Sequence, residues 1–290
     1  MGVLYIVATP IGNLEDITLR ALRILREASL IAAEDTRTTR KLLAHYDIHT
    51  PLTSYFEHNK LTKLDYLLGV VREPGRDVAV VSEAGMPGIS DPGYELVRAA
   101  LAAGIKVVPV PGPSAIITAL AASGLPTDEF TYVGFLPRKR SERLRHFSAI
   151  ATERRTLIAF EAPHRLVDSL RDLLAVLGSR RIAVARELTK LHEEIVRGTI
   201  EQALAHFEAA TPRGELCLVI AGAEEEKATT DIEEVRNQLR KLAEQGLSAK
   251  EAAVRVAKAT GVSKREVYKI WLDLAADDVD RHGFRKPRRS

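Results

Sequence analysis

The chain has 290 residues, of which 46% are hydrophobic and 28% charged, and its formal net charge is +3. This composition is that of a globular protein and excludes a disordered chain, and the length allows two domains with a small appendage. No apolar stretch approaches the roughly 20 residues that span a bilayer, so we expect a cytoplasmic protein without a membrane partner. The single cysteine, Cys217, excludes an internal disulfide and a cysteine-based zinc site.

Strand and helix patterns alternate through the first 110 residues, which predicts a mainly parallel sheet covered by helices. The predicted strands are 3–8, 30–33, 78–81 and 105–110, and the predicted helices are about 19–28, 58–72 and 95–103. Three of the strands run into loops rich in glycine and proline, at 9–13, 82–93 and 111–115. Because ligands bind at the carboxyl ends of strands in open sheets, these loops predict a preformed small-molecule cleft.

The pattern changes after residue 112, where we place the boundary between an N-terminal α/β domain (1–112) and a second α/β domain (113–223). A helix is expected from 113 to about 123. The further predicted strands are 132–135, 156–160, 181–187, 193–198 and 215–222, and the further predicted helices are 139–150, 164–177 and 200–210. No long crossover separates the strands at 181–187 and 193–198. They are therefore expected to pair antiparallel, which predicts a mixed sheet.

A helical module is predicted over 231–276, followed by a basic tail at 277–290. Its three helical patterns are 231–245, 248–260 and 263–275. Ser248 and Ser263 each precede a glutamate by three residues, which is the spacing of a capping box. The layout resembles a helix-turn-helix, although three short helices are also a common packing module.

Positive charge is concentrated at Lys139, Arg140 and Arg143, which lie in a loop and the helix that follows it. Such a segment indicates a polyanionic partner, and these three residues are the candidates for contacting phosphate. A solvated helix face is the alternative interpretation.

The common phosphate-binding loops are absent from the sequence, and so are the His-x-x-x-His spacings of zinc proteases. The sequence therefore indicates neither a P-loop enzyme, nor the standard dinucleotide fold, nor a metal site.

The ordered loop motifs resemble those of the tetrapyrrole methylase superfamily. The resemblance covers residues 3 to about 222 and rests on TPIGNL (9–14), AEDTR (33–37), SEAGMPGISDPG (82–93), PGPSA (111–115), GFLPRK (134–139), FEAPHR (160–165), RELTKLHEE (186–194) and RGE (213–215). More narrowly, the motifs are similar to those of the branch that methylates the ribose 2′-hydroxyl of a cytidine in small-subunit ribosomal RNA. Two positions depart from the family pattern: Glu83 replaces the usual aspartate, and Met86 replaces the usual threonine.

The resemblance implies two α/β domains that flank a cleft for S-adenosyl-L-methionine, with the small three-helix module beyond them. The cofactor-binding residues that it implies are Pro10, Glu83, Ala84, Gly85, Ser90, Ser114, Ala115, Phe160, Ala162, Pro163, Leu218 and Ala221. Ser114 and Ala115 would offer backbone N–H groups at a helix N-terminus to the cofactor carboxylate.

A ribose hydroxyl is a weak nucleophile, so a nearby general base would assist its methylation. Glu34 and Asp35 are candidates for this base, and Arg37 would hold a phosphate. Glu161 with His164 is a second candidate pair, and Glu187 with Lys190 a third. The alternative is that Glu34 or Asp35 serves as a helix cap paired with Arg37 or Arg40, and that His164 caps its own helix.

The implied partner is small-subunit ribosomal RNA or the assembled small subunit, and the resemblance also implies a homodimer. A methyltransferase for small tetrapyrrole precursors is the first alternative, since it would use the same cleft. A DNA-binding regulator that uses its cleft as a sensor is the second, and it would depend on the C-terminal helices.

Overall fold

A computed structural model describes residues 1–56, 60–89, 93–209, 213–224 and 232–282 of the chain. These residues belong to two compact units, Met1–Ala223 and Glu224–Ser290, and each unit is considered by itself.

The first sheet of the larger unit is parallel throughout, with the strand order β3-β2-β4-β1-β5. Its strands are β1 (Val3–Val7), β2 (Leu30–Ala33), β3 (Leu52–Ser54), β4 (Val78–Val81) and β5 (Lys106–Val110), and its helices are α1 (Leu19–Glu27), α2 (Thr36–His45), α3 (Lys60–Arg72) and α4 (Gly93–Ala102). Side chains alternate across the strands, so α1 and α2 pack on one face while α3 and α4 pack on the other. Because the five strands are parallel, they all end at the same edge of this sheet.

The second sheet is mixed, with the order β6-β7-β10-β8-β9. Its strands are β6 (Phe130–Phe135), β7 (Thr156–Glu161), β8 (Arg181–Arg186), β9 (Glu194–Thr199) and β10 (Leu216–Ile220), and its helices are α5 (Ala115–Ser123), α6 (Arg140–Ala149), α7 (Leu166–Leu177) and α8 (Ile200–Ala209). The strands β6 and β7 are parallel, whereas β10 is antiparallel to both β7 and β8. The helices α6, α7 and α8 cover one face, and α5 covers the other.

The antiparallel pairing predicted for the strands near 181 and 198 is confirmed, because β8 and β9 pair in this way from Arg181 to Arg186. The sequence analysis missed two elements, the short strand β3 and the helix α2. The first turns of α2 contain three threonines, which are poor helix formers, and the helix begins because Asp35 caps it. The first sheet ends at Val110 and α5 packs on the second sheet, but the two sheets form one compact unit. The division at residue 112 therefore stays a prediction.

The smaller unit consists of α9 (Ile232–Glu244), α10 (Ala249–Thr260) and α11 (Lys264–His282) around an apolar core. The Ser248 hydroxyl accepts a hydrogen bond from the Glu251 N–H in a complete capping box at the start of α10. The Ser263 hydroxyl accepts one from the Glu266 N–H at 3.2 Å. The helix α11 extends into the predicted basic tail as far as His282, and residues 283–290 of that tail lie outside the described residues.

A buried ion pair joins α6 to α7 inside the larger unit. The Arg143 side chain is 4% exposed and the Asp172 side chain 3% exposed, and their closest atoms, Nη2 and Oδ2, are 2.6 Å apart. The second oxygen of Asp172 accepts a hydrogen bond of 3.0 Å from the exposed Arg140. Both oxygens of the buried carboxylate are therefore bonded, which offsets the cost of removing the charges from water.

We predict that Asp172→Ala destabilises the larger unit by about 3–5 kcal/mol, because it leaves the Arg143 guanidinium buried without its counter-charge. Far-UV circular dichroism during denaturant unfolding measures this loss of stability. Tryptophan fluorescence would report on the other unit, because the only tryptophan, Trp271, lies there. Asp168→Ala removes an exposed pairing to Arg171 on the same helix and is expected to change stability by less than about 0.5 kcal/mol. Equal losses in the two variants would contradict this account of the buried pair.

Candidate functional site

The loops after β1 and β4 are joined at the carboxyl edge of the first sheet. Thr9 and Gly85 exchange two backbone hydrogen bonds of 2.9 and 3.0 Å. Gly85 has a φ of 81°, a conformation that side-chain-bearing residues rarely adopt. The Thr9 hydroxyl also donates to the Ser82 carbonyl oxygen at 3.3 Å. These bonds hold the two loops in a fixed relative position.

The loop after β5 lies against the end of β1 and leads into α5. A Cβ atom at Gly112 would lie 2.9 Å from the Ala8 Cβ, so the close approach of the two backbones requires glycine here. Ser114 is the N-cap of α5, and in the described structure its side chain makes no cap hydrogen bond. The first turn of α5 therefore presents backbone N–H groups without intrahelical partners beside the other two loops.

Both sheets contribute to one cavity of about 470 Å³. From the first sheet and α5 it is lined by Ile11, Glu34, Ser82, Glu83, Ala84, Gly85, Met86, Ile89, Ser114, Ala115 and Ile116. From the second sheet it is lined by Phe135, Phe160, Glu161, Ala162, Pro163, Ala185, Leu188, Gly214, Glu215, Leu216 and Cys217. The volume is typical of small-molecule and cofactor sites. The walls are mostly apolar, and carboxylates and backbone groups supply the polar contacts.

A strained turn after β8 closes one side of this cavity. Glu187 and Thr189 have φ values of 51° and 64°, and Leu188 between them lines the cavity. A Cβ atom at Gly12 would lie 2.5 Å from the Lys190 Cγ, so the first loop packs tightly on this turn. Such backbone strain persists only where the surroundings fix it.

Lys190 holds the turn together through its ammonium group. Its Nζ lies 3.0 Å from carboxylate oxygens of both Glu187 and Glu215. Burial alone would raise the pKa of Glu187, but the hydrogen bonds from Lys190 and the Glu215 N–H lower that pKa overall. Burial would likewise lower the pKa of Lys190, and the bonds to Glu187 and Glu215 raise it overall. Both groups are therefore charged at neutral pH, and the turn stays closed.

Most of the cofactor-binding residues named from the sequence come together at this cavity. Those that line it are Glu83, Ala84, Gly85, Ser114, Ala115, Phe160, Ala162 and Pro163. Pro10 is half-buried next to the lining residue Ile11, and Ser90 lies outside the described residues. Met86, the departure from the usual threonine, packs against the apolar core beneath α3 and α4 as well as lining the cavity.

Leu218 and Ala221 do not line the cavity within the described structure, and the direction of β10 explains why. Because β10 is antiparallel to β7, Leu216 at its start pairs with Glu161, while Ile220 at its end pairs with Leu157. The beginning of β10 therefore reaches the cavity and its end points away. Leu218 instead packs into the core beneath α7 and α8. The motif at 213–215, which carried part of the resemblance, contributes Gly214 and Glu215 to the lining.

Glu34 and Asp35 are adjacent in sequence but have different surroundings. Glu34 lines the cavity, and its Oε2 accepts a hydrogen bond of 3.1 Å from the Glu83 N–H. Asp35 caps α2 and accepts bonds from the Arg37 backbone and guanidinium. The side-chain hydrogen bond from Arg37 lowers the pKa of Asp35 to about 2, which makes Asp35 a poor base. The cap alternative thus describes Asp35, and Arg37 is bonded to it.

Glu161 and His164 also differ in their surroundings. Glu161 is buried, and its oxygens accept hydrogen bonds from the Ala162 N–H at 2.7 Å and from the Ser169 hydroxyl. Its Oε1 also lies 2.5 Å from the Arg165 guanidinium. These contacts give Glu161 a structural role at the cavity wall. His164 is exposed and is not among the described residues that line the cavity.

The candidate phosphate contacts divide by burial. The Lys139 and Arg140 side chains are 78% and 75% exposed, at the start of α6. Arg143 forms an ion pair with Asp172 and is buried, so the structure does not support a phosphate contact for it. The sequence shows the charge of Arg143 but not its partner, which is 29 residues away.

Burial raises the pKa of the Cys217 thiol to about 12, so this cavity-lining cysteine is a neutral apolar contact. Within the described ranges, no group of three or more His, Cys, Asp or Glu side chains is arranged to hold a metal ion. None of the helices described is both long and apolar enough to cross a membrane.

Comparison with known proteins gives two family matches along the chain. Residues 3–204 match the tetrapyrrole (corrin/porphyrin) methylases, and residues 229–275 match the RsmI C-terminal HTH domain. Among solved structures, the uroporphyrin-III-C-methyltransferase of Thermus thermophilus is 25% identical with a TM-score of 0.54, covering 76% of this chain and 94% of its own. A cobalt precorrin-4 methyltransferase, at 19% identity and a TM-score of 0.57, covers 75% and 94% and shares the fold.

Curated relatives named ribosomal RNA small subunit methyltransferase I are much more similar in sequence. The protein of Halalkalibacterium halodurans is 49% identical, covering 93% of this chain and 94% of its own. That of a Synechocystis species is 49% identical, covering 96% of this chain and 100% of its own. That of Bacillus subtilis is 43% identical, covering 92% of this chain and 93% of its own. The chain therefore belongs to the tetrapyrrole methylase family and, within it, to the ribosomal RNA small subunit methyltransferases I.

Proposed function

We propose that this protein methylates the ribose 2′-hydroxyl of a cytidine in small-subunit ribosomal RNA, in the cytoplasm. The observation that carries the proposal is one cavity lined by both sheets, with Glu34 in its wall and exposed cations at the start of α6, shortly after the lining residue Phe135 in the chain. The names of the relatives support ribosomal RNA of the small subunit as the substrate. The assignment of the cytidine and its 2′-oxygen rests on the resemblance of the motifs, and so does the expectation of a homodimer.

S-Adenosylmethionine is the methyl donor of the family, and the residues present suit it. The cavity volume of about 470 Å³ matches a ligand of its size. The N–H groups at the start of α5, beside Ser114 and Ala115, would bind its carboxylate. The apolar side chains of Phe160, Ala162 and Leu188 would pack on its adenine. When bound, it supplies a methyl group activated by a positively charged sulfur.

The contribution of the protein is mainly to hold the reacting oxygen in place, which can supply several kcal/mol of the barrier reduction. Among the candidate bases, Glu34 is the best placed. Its carboxylate lies in the cavity wall and is oriented by the Glu83 N–H. It would accept the proton of the 2′-hydroxyl, whereas Asp35 is held by Arg37 and Glu161 by Arg165 and Ser169.

The experiment that tests the proposed function incubates the protein with S-adenosylmethionine carrying a labelled methyl group and with unmethylated small subunits. Digestion of the ribosomal RNA to nucleosides is expected to release the label as 2′-O-methylcytidine. Label on a base would contradict the ribose assignment. Label on an added tetrapyrrole precursor, with none in RNA, would establish the small-molecule alternative instead.

We predict that Ser114→Trp abolishes cofactor binding in calorimetry, because the indole would fill the cavity in front of the α5 N-terminus. Ser114→Ala is the matched control. In the described structure the hydroxyl makes no cap bond and the backbone N–H groups remain, so the affinity is expected to change by less than about threefold. Normal affinity in the tryptophan variant would contradict the placement of the cofactor.

We also predict that Glu34→Gln lowers kcat about 100-fold while cofactor affinity stays within about twofold, because the amide can still accept the Glu83 N–H bond but is not a base. Asp35→Asn is the matched control. Asparagine caps helices as well as aspartate does, so this variant is expected to keep kcat within about threefold. A larger loss of kcat in the Asp35 variant than in the Glu34 variant would indicate that Asp35, and not Glu34, is the base.

A further inference from the structure

Phe135 is a large apolar side chain that lies exposed at the rim of the cavity. It is 60% exposed and yet contributes to the cavity lining. Burying such a ring is favourable, so a ligand that covered Phe135 while occupying the cavity would gain free energy from the contact.

The backbone of β6 turns this side chain toward the cavity. Gly134 has a φ of 75°, and the pairing of β6 with β7 shifts register between Tyr132 and Phe135. A bulge of this kind re-aims the side chain that follows it. The Phe135 ring then lies with its centroid 5.4 Å from that of Phe160, at an interplanar angle of 54°. The ring is thus held from one side by a cavity residue while the rest of it remains open to solvent.

Three exposed cations follow Phe135 closely in the sequence. Arg138, Lys139 and Arg140 are all exposed, only three to five positions after Phe135. An aromatic ring for stacking beside cations for phosphate is the arrangement by which proteins bind single-stranded nucleic acid.

We propose that Phe135 is a positioning residue that stacks on the base of the nucleotide to be methylated. This inference rests on the proposed function, since it assigns the contact for the RNA substrate of that same site. A nucleotide must leave its base stack before its ribose can enter a protein cavity, and an aromatic side chain that receives the base offsets this cost. Phe135 lines the cavity and precedes the first of the exposed cations by three residues, so a base stacked on it would be followed by phosphates on the side of the cationic segment.

The test compares Phe135→Ala, Phe135→Trp and the control Phe130→Ala in the full-length protein. Phe130 begins the same strand, is 39% exposed and is not among the described cavity-lining residues. With small subunits as substrate, Phe135→Ala is expected to lower kcat/KM by about 10- to 100-fold, the range typical of one lost base stack. Phe135→Trp is expected to restore activity to within about threefold of wild type, and Phe130→Ala to leave it unchanged.

Two further measurements separate base stacking from other roles of the ring. Calorimetry is expected to show the same affinity for S-adenosylmethionine in Phe135→Ala and in wild type. A loss of that affinity equal to the loss of activity would place the ring against the cofactor instead. Sedimentation is expected to show no change in oligomeric state, and dissociation of a dimer in the alanine variant would assign Phe135 to an interface between copies.

A fluorescent cytidine analogue, pyrrolocytidine, at the methylated position of an RNA fragment reports the stacking directly. Wild type and Phe135→Trp are expected to quench its fluorescence on binding, and Phe135→Ala is not. Equal quenching by the alanine variant would overturn the inference. Because this readout needs no methyl transfer, quenching that depends on Phe135 in a protein that methylates no RNA would refute the proposed function and leave the stacking intact.

Discussion

The site depends on one constraint, which is that all strands of the first sheet are parallel and therefore end at the same edge. The end of β1 is bonded to the loop after β4 through Thr9 and Gly85, and the loop after β5 packs on the end of β1 at Gly112. The chain then passes from this edge directly into α5, whose N-terminus opens on the cavity. Contacts within the protein thus hold residues of three loops together at one wall of the cavity, and such preorganisation reduces the entropy lost on binding.

The same constraint explains why the first half of the site could be predicted from sequence and the second half only in part. In a parallel sheet, each strand-to-loop junction lies at the edge where ligands bind, so the loops at 82–93 and 111–115 follow from the position of their strands. The individual residues Glu83, Gly85 and Ser114 came from the resemblance of the motifs. In a mixed sheet, the end of a strand that faces the cavity depends on its pairing partner, which a single sequence does not reveal. The prediction named Leu218 and Ala221, toward the end of β10, whereas the cavity lining includes Gly214 and Leu216, before and at its start.

Charged residues show a second limit of sequence analysis, because charge is visible in the sequence and the partner is not. Arg143 belongs to the same basic run as Lys139, yet it is buried against Asp172 on the next helix. Asp35 and Glu34 are neighbours, yet Arg37 neutralises the first and leaves the second to face the cavity. In both cases a local helix takes one charge into a buried pair (α6) or into a cap (α2), while the neighbouring charge lies on the surface or in the cavity wall.

Enzymes of this fold act on porphyrin-type molecules as well as on RNA, so the cavity alone does not decide the substrate. The flat ring of a tetrapyrrole and the flat ring of a base both present a π face, and Phe135 could stack on either. The difference lies beyond the cavity, because RNA continues past the reacting nucleotide as a chain of phosphates. Lys139 and Arg140, at the start of α6, are exposed and lie outside the cavity lining, so they would not contact a ligand confined within it but could contact the phosphates of a longer polyanion.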